Sequence, residues 1–264
     1  MIIDTHAHYD DEKYDDDREE LLASFWAGGV SKVINMGTRI ETSLSTVELA
    51  KTHENVYAAV GIHPEELEGL VPDYISVLWG LTAEKKVVMI GEIGLDYYWD
   101  KDHKEEQKKV FREQLQLAAR LGLPVSIHSR EAAEDTINIL EEEVAAATAK
   151  GQRLTGILHC FGYSTEMAKR FISLGFLLGI GGVCTFKNSK KLKETIKEIP
   201  LEKLVLETDA PYLAPEPYRG KRNSSLYIDF VAAAIADLKG IEKAEVLAKT
   251  EENALKLIPG LSAG

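Results

Sequence analysis

Short runs of β-branched and apolar residues recur along the chain, each followed by a loop and a longer stretch with apolar residues every three or four positions. The short runs are Ile2 to Thr5, Lys32 to Met36, Val56 to Val60, Val87 to Ile93, Val125 to Ile127, Thr155 to Leu158, Phe176 to Ile180 and Leu204 to Leu206. Runs of this kind between turn signals, alternating with helical patterns, are the signature of a parallel sheet covered on both faces. Among the longer stretches, Gln107, Val110, Phe111, Gln114, Leu115, Ala118 and Leu121 share one helix face that stops at Gly122, and Pro124 opens the next strand. The Ala-, Glu- and Leu-rich segment from Glu131 to Lys150 is also predicted to be helical. About eight strand–helix units are what a closed (β/α)8 (TIM) barrel requires. Element order does not report closure, so an open doubly wound sheet fits the same pattern.

Composition narrows the class. At 264 residues, with 45% hydrophobic and 28% charged and no Ser/Gly-rich linker, residues 1–264 read as a single domain. No apolar run reaches the roughly 18 residues of a membrane span, and the N-terminus lacks the regions of a signal peptide. Cys160 and Cys184 have no CxxC spacing and give no disulfide framework. A reduced, cytoplasmic protein with no membrane partner is therefore expected, with a monomer as the expected state. The formal net charge of −12 excludes a protein that coats nucleic acid by charge alone. It leaves open an enzyme that meets a nucleic-acid end through bound cations. Part of the acidity lies in Asp10, Asp11, Glu12, Asp15, Asp16 and Asp17, expected to form a solvated loop and helix start.

The candidate chemistry sits where the predicted strands end. Of the seven histidines, His6, His8, His63, His128 and His159 stand at or just past the C-terminal end of a predicted strand, the face on which barrel enzymes carry their active sites. His6 and His8 form an HxH pair whose two-residue period puts both on one face, with Asp4 on the same side as an orienting group. Glu92, inside the apolar run of GEIGLD, needs a cation, because an unpaired buried carboxylate costs several kcal/mol. His128 and His159 end the fifth and sixth strands; for either alone, a core histidine bonded to backbone is the ordinary alternative. Glu207 and Asp209 share one side of the last strand, with Asp209 read as ligand or proton acceptor and Glu207 as an orienting group. The ligand set is thus His6, His8, Glu92, His128, His159 and Asp209. It exceeds the needs of one tetrahedral ion, so two divalent ions (Mg²⁺, Mn²⁺ or Zn²⁺) bridged by Glu92 are expected at the C-terminal face. His63 is either substrate-facing or a ligand used when substrate is bound, with a helix-start histidine beside Pro64 as the alternative. Cys160, one residue past His159, is expected to turn toward the helices, and His53 and His103 are expected to be exposed.

These residues fall in motifs that closely resemble the TatD-like metal-dependent deoxyribonucleases: IIDTHAHYD (Ile2 to Asp10), GIHP (Gly61 to Pro64), GEIGLDYYW (Gly91 to Trp99), PVSIHSRE (Pro124 to Glu131), HCF (His159 to Phe161) and LETDAPYLAP (Leu206 to Pro215). The resemblance covers essentially the whole chain, and all six ligand positions carry the expected residue types. It implies a (β/α)8 barrel of the amidohydrolase superfamily that hydrolyses DNA phosphodiester bonds with divalent metal, often from the 3′ end. Where many members of that superfamily bridge their metals with a modified lysine, this chain has Glu92. Some relatives carry histidine after the GIHP proline, where this chain has Glu65.

The expected chemistry is attack of an ion-activated water on phosphorus, with Asp209 and Glu92 as the catalytic carboxylates and Asp209 taking the proton. Arg130 is the candidate phosphate clamp, its alternative being an ion pair with Glu131 or Glu134. Arg222, with Arg219 and Lys221 in the long loop from Ala210 to Ser225, is a second candidate for substrate binding, a solvated turn being the alternative. Tyr97, Tyr98 and Trp99 either stack on bases or pack on the next helix. The expected substrate is DNA, as single strands or 3′ ends. A lactone, cyclic amide or phosphotriester substrate is the alternative within the same chemistry, and a non-catalytic metal-binding protein the alternative outside it.

Overall fold

The computed structural model describes residues 1–262. Eight parallel strands lie side by side in chain order: β1 (Ile2–Ala7), β2 (Val30–Met36), β3 (Val56–Val60), β4 (Val87–Asp96), β5 (Val125–Arg130), β6 (Gly156–Leu158), β7 (Leu177–Ile180) and β8 (Leu204–Leu206). A parallel bridge between Ala7 and Ala210 joins the last strand's extension to the first, so the sheet curls into a barrel rather than staying open. Helices α1 (Arg18–Ser24), α2 (Ile40–Thr52), α3 (Tyr74–Leu81), α4 (Lys104–Leu121), α5 (Ala133–Ala149), α6 (Thr165–Ser173), α7 (Lys190–Glu198), α8 (Ile228–Lys239) and α9 (Lys243–Leu257) alternate with the strands around the outside.

The strands read as apolar runs because both faces are buried. Outward-facing residues such as Val33, Val56, Val125 and Leu204 pack with helix residues including Phe111, Leu115, Leu140 and Ile235 in one large core. The barrel's inside holds a second cluster, with Ile3, Ile34, Tyr57, Met89, Ile157 and Val205. Ile258 and Leu261, from the end of the described chain, join that cluster and stop the N-terminal mouth. α4 ends where expected: Gly122 takes φ +68°, a left-handed C-cap that a residue with Cβ adopts only at a cost.

Several strands differ from the expectation at their C-terminal ends. β1 continues to Ala7, β4 to Asp96 and β5 to Arg130, because each is held there by a neighbour: Gly94 pairs with His128, Leu95 with Ser129 and Asp96 with Arg130. α5 starts at Ala133 rather than Glu131, which takes φ +53°. The extensions carry the functional residues upward onto the barrel's rim. The register of β4 against β5 shifts between Ile90 and Ile93, around Glu92.

Gly94 fixes how closely those two strands approach. Its φ is +148°, and a Cβ there would overlap the His128 carbonyl oxygen. Gly94→Ala is expected to lower the unfolding free energy by about 3 kcal/mol, measured by urea denaturation. A loss under about 1 kcal/mol would contradict this close approach.

Candidate metal centre

Glu92 lies at the middle of the rim, 4% exposed, with imidazoles on both sides of its carboxylate. Oε2 is 3.3 Å from His6 Nε2 and 3.7 Å from His8 Nε2. Oε1 is 3.2 Å from His128 Nδ1, 3.7 Å from His63 Nε2 and 3.9 Å from His159 Nε2. Asp209 Oδ1 completes the ring, 3.5 Å from His8 Nε2, 3.7 Å from His159 Nε2 and 3.9 Å from His6 Nε2. Asp209 comes from beyond β8, yet it meets β1 because its own N–H donates to the His6 carbonyl at 2.9 Å while the His8 N–H donates to the Ala210 carbonyl at 2.7 Å. Its backbone is left-handed there, at φ +58°. The structure therefore brings together all six residues read as ligands, and His63 with them.

Contacts on the far side of the rings set which nitrogen faces inward. His8 Nδ1 donates to the Met36 carbonyl at 3.3 Å, which leaves the Nε2 lone pair facing the centre. His6 Nδ1 bonds to Ser126 Oγ at 3.0 Å, and its Nε2 lies 3.2 Å from that of His8. His159 turns Nδ1 toward Glu207 Oε1 at 3.1 Å and stacks on His6 with ring centroids 3.4 Å apart. Lone pairs aimed at carboxylate oxygens repel unless a proton or cation lies between them. A mixed set of neutral imidazoles and carboxylates is the donor chemistry that Zn²⁺ and Mn²⁺ accept. The residues fit the metal.

The charge balance of the side chains supports this. Burial acts to raise the pKa of Glu92, but His6, His63 and His128 hold it well below the usual carboxylate range. Burial likewise opposes ionisation of Asp209, and its histidine neighbours bring it down. Burial works to lower His159, yet Glu207, Asp209 and Glu92 push it up to about 10. His128, opposed by burial, is raised to about 9 by Asp96 and Glu92. His63 is the exception, pushed down to about 3 by burial.

The centre opens into a cavity of about 1140 Å³ whose walls include His8, His63, His159, Asp209, Trp99 and Arg130. Arg130 is exposed and lies over Tyr98, with its guanidinium carbon 4.1 Å from the ring centroid; among the described residues no carboxylate pairs with it. Glu134, considered as its partner, binds Arg170 instead, at 3.0 Å. Tyr98 and Trp99 are exposed, whereas Tyr97 is buried and its hydroxyl donates to Asp135 at 2.7 Å.

Other expectations need correction. Arg222 does not reach the cavity: its guanidinium makes two bonds to the Asp17 carboxylate, at 2.7 and 2.5 Å, and one to the Lys13 carbonyl at 2.7 Å. It ties the long loop to the N-terminal segment. Arg219 packs over Phe186, after β7, and Lys221 over Tyr218 of its own loop, so all three basic side chains of the patch meet partners within the protein. The acidic segment is also more than a solvated loop. Asp10 accepts from Asn35 and Ser45, Asp11 accepts from Tyr212, and Asp10, Asp11 and Glu12 line the cavity. Cys160 faces the cavity because β6 ends at Leu158 and alternation stops; at φ +45° its N–H turns to Glu207 Oε1, 2.6 Å away. His53 is half-buried and bonded to Glu19 at 3.0 Å, while His103 is exposed beside Asp100. Asp4 touches no imidazole. It accepts from Thr208 Oγ1 and Ser225 Oγ, both at 2.6 Å, and from the His6 N–H at 3.2 Å, so it pins the backbones that carry His6 and Asp209.

The residue missed in the sequence is Asp96, whose Oδ2 lies 2.9 Å from His128 Nε2. The signal was present, since Glu92, Gly94 and Asp96 share one side of an extended strand, but the predicted strand stopped at Ile93.

A barrel with histidines and carboxylates converging at the C-terminal ends of its strands defines a metal-dependent hydrolase. Residues 3–259 match the family model of TatD related DNases. The chain belongs to the TatD family. It is 43% identical to the uncharacterized metal-dependent hydrolase YabD of Bacillus subtilis, over 97% of this chain and 98% of that one. It is 34% identical, over 93% of each chain, to the 3′-5′ ssDNA/RNA exonuclease TatD of Cronobacter sakazakii. The crystal structure of the TatD homologue YjjV from Escherichia coli superposes with a TM-score of 0.90, at 32% identity and 98% coverage of both chains.

His128 and His159, raised to about 9 and about 10, carry protons at neutral pH when no cation is present. A ligating nitrogen must lose its proton, so metal uptake at pH 7 is expected to release protons, and apparent affinity to rise with pH until about 9 to 10. Titration calorimetry in buffers of different ionisation enthalpy reads the release directly. Binding heats that do not depend on the buffer would contradict the protonated state.

Proposed function

We propose that the protein is a single-domain deoxyribonuclease that removes nucleotides from the 3′ end of single-stranded DNA with two divalent ions bridged by Glu92. The observation that carries this reading is the unpaired Arg130 and the exposed Trp99 in the same cavity wall as the ligand set. A guanidinium matches phosphate oxygens bidentately, and a base stacked on an aromatic ring contributes about 1–3 kcal/mol without sequence preference. The exonuclease activity named for the Cronobacter relative supports the same substrate class.

In this mechanism His6 and His8 would hold one ion and His128 and His159 the other, with the carboxylates of Glu92 and Asp209 facing both groups. The ions, when bound, supply Lewis acidity that lowers the pKa of water and offsets charge on the phosphoryl oxygens. Asp209 Oδ1, on the open side of the ring, orients the attacking water and takes its proton. His63 stays neutral; its Nδ1 accepts the Glu65 N–H at 3.3 Å, so Nε2 carries the hydrogen and is a donor for a phosphoryl oxygen. Glu207 orients His159, and Arg130 holds the phosphate next to the scissile one.

A second reading keeps the ions and changes the substrate to a small lactone, cyclic amide or phosphotriester. It is favoured by the carboxylates of Asp10, Asp11, Glu12, Glu65 and Glu66 in the cavity wall, which repel a polyanion. Release of nucleotides from a labelled single-stranded oligodeoxynucleotide with Mg²⁺ or Mn²⁺ separates the two. The wild type is expected to degrade the strand and to stop on addition of EDTA, and Asp209→Asn to lose about 10²- to 10⁴-fold in kcat. Arg130→Ala is expected to raise KM roughly tenfold with little change in kcat. A metal-loaded wild type that leaves every oligonucleotide intact while opening a lactone would overturn the nuclease reading.

A further inference from the structure

Asp96 is the last residue of β4, and its side chain is fully buried. Its two carboxylate oxygens serve different parts of the site. Oδ2 accepts from His128 Nε2 at 2.9 Å. Oδ1 accepts the backbone N–H groups of both Tyr98 and Trp99, each at 2.8 Å. The residue is held from behind by Gln107 of α4, whose side-chain oxygen accepts the Asp96 N–H at 2.9 Å and whose amide donates to the Asp96 carbonyl at 3.0 Å.

We propose that Asp96 is a positioning residue that joins the metal centre to the substrate platform: one oxygen sets which nitrogen of His128 faces the ions, and the other seats the turn carrying Tyr98 and Trp99. An ionised carboxylate only accepts, so Nε2 of a neutral His128 must carry the hydrogen, which leaves the Nδ1 lone pair toward Glu92 Oε1 at 3.2 Å. Carboxylate partners of this kind orient ligating imidazoles and raise their basicity. The same carboxylate anchors the ring on which Arg130 lies, with the guanidinium carbon 4.1 Å from the Tyr98 centroid and 5.5 Å from that of Trp99. The platform half of this inference rests on the nuclease reading; the His128 half rests only on the metal-centre part of it.

Asp96→Asn separates the two halves. The amide oxygen keeps the backbone bonds of Tyr98 and Trp99, while the amide nitrogen faces His128 and donates. His128 Nε2 must then accept, and the proton moves to Nδ1, where it opposes the ion. Asp96→Ala removes both functions. The test is Zn²⁺ affinity by competition with a chromophoric chelator, together with the unfolding midpoint of the metal-free protein and the emission of Trp99 in a Trp26→Phe, Trp79→Phe background. D96N is expected to keep the wild-type midpoint and Trp99 emission while its weaker zinc site loses roughly 10- to 100-fold in affinity. D96A is expected to show that loss together with a shifted Trp99 emission. Asp96→Glu, which restores an acceptor, is expected to bind zinc more tightly than D96N at an equal midpoint. Wild-type zinc affinity in D96N, or a loss that follows the metal-free midpoint across all three variants, would overturn the proposal. No arm uses nucleic acid, so a wild type inert on oligonucleotides would count against the nuclease reading alone.

Discussion

Everything at the top of this barrel answers to one constraint: the carboxylate of Glu92 is buried in a strand and must have its charge met. A carboxylate removed from water without partners is costly enough that the chain would either protonate it or not fold around it. Here five imidazoles surround it, delivered by β1, β5 and the loops after β1, β3 and β6. No two of these segments except β1 and its own loop are adjacent in sequence. The barrel is what gathers them, because parallel strands in chain order place every C-terminal end on one rim.

The surroundings of the ring hold that arrangement in place. Asp4 bonds the backbones of β1 and of the segment after β8, and the Ala7–Ala210 bridge joins them, which sets Asp209 against His6 and His8. Gly94 lets β4 approach β5 closely enough for Glu92 to face His128. Glu207 is buried between Cys160 and His159, and Gly179 leaves room for its carboxylate, which a Cβ there would overlap. Each of these residues acts on the direction of a side chain that faces the centre, and direction decides whether a lone pair or a hydrogen points into it.

Much of this was legible in the sequence, and the misses share a cause. Strand number and order followed from apolar runs, and the gathering of His6, His8, Glu92, His128, His159 and Asp209 followed from their places at strand ends. What local pattern does not carry is the partner of a side chain. Asp96 lies on a part of β4 that is prolonged by pairing with β5, which apolar periodicity does not register. Arg222 looked free in a basic loop, while Asp17, which binds it, lies 205 residues earlier. Cys160 lies past the point where β6 ends, so strand alternation does not set its direction.

The central proposal is that Glu92 would bridge two divalent ions. The most direct test is anomalous diffraction from crystals of the protein grown or soaked with Mn²⁺. The account predicts two anomalous peaks about 3.5–4 Å apart, one beside His6 and His8 and the other beside His128 and His159, with the Glu92 carboxylate between them. A single peak at full occupancy, or two peaks with Glu92 touching neither, would contradict it.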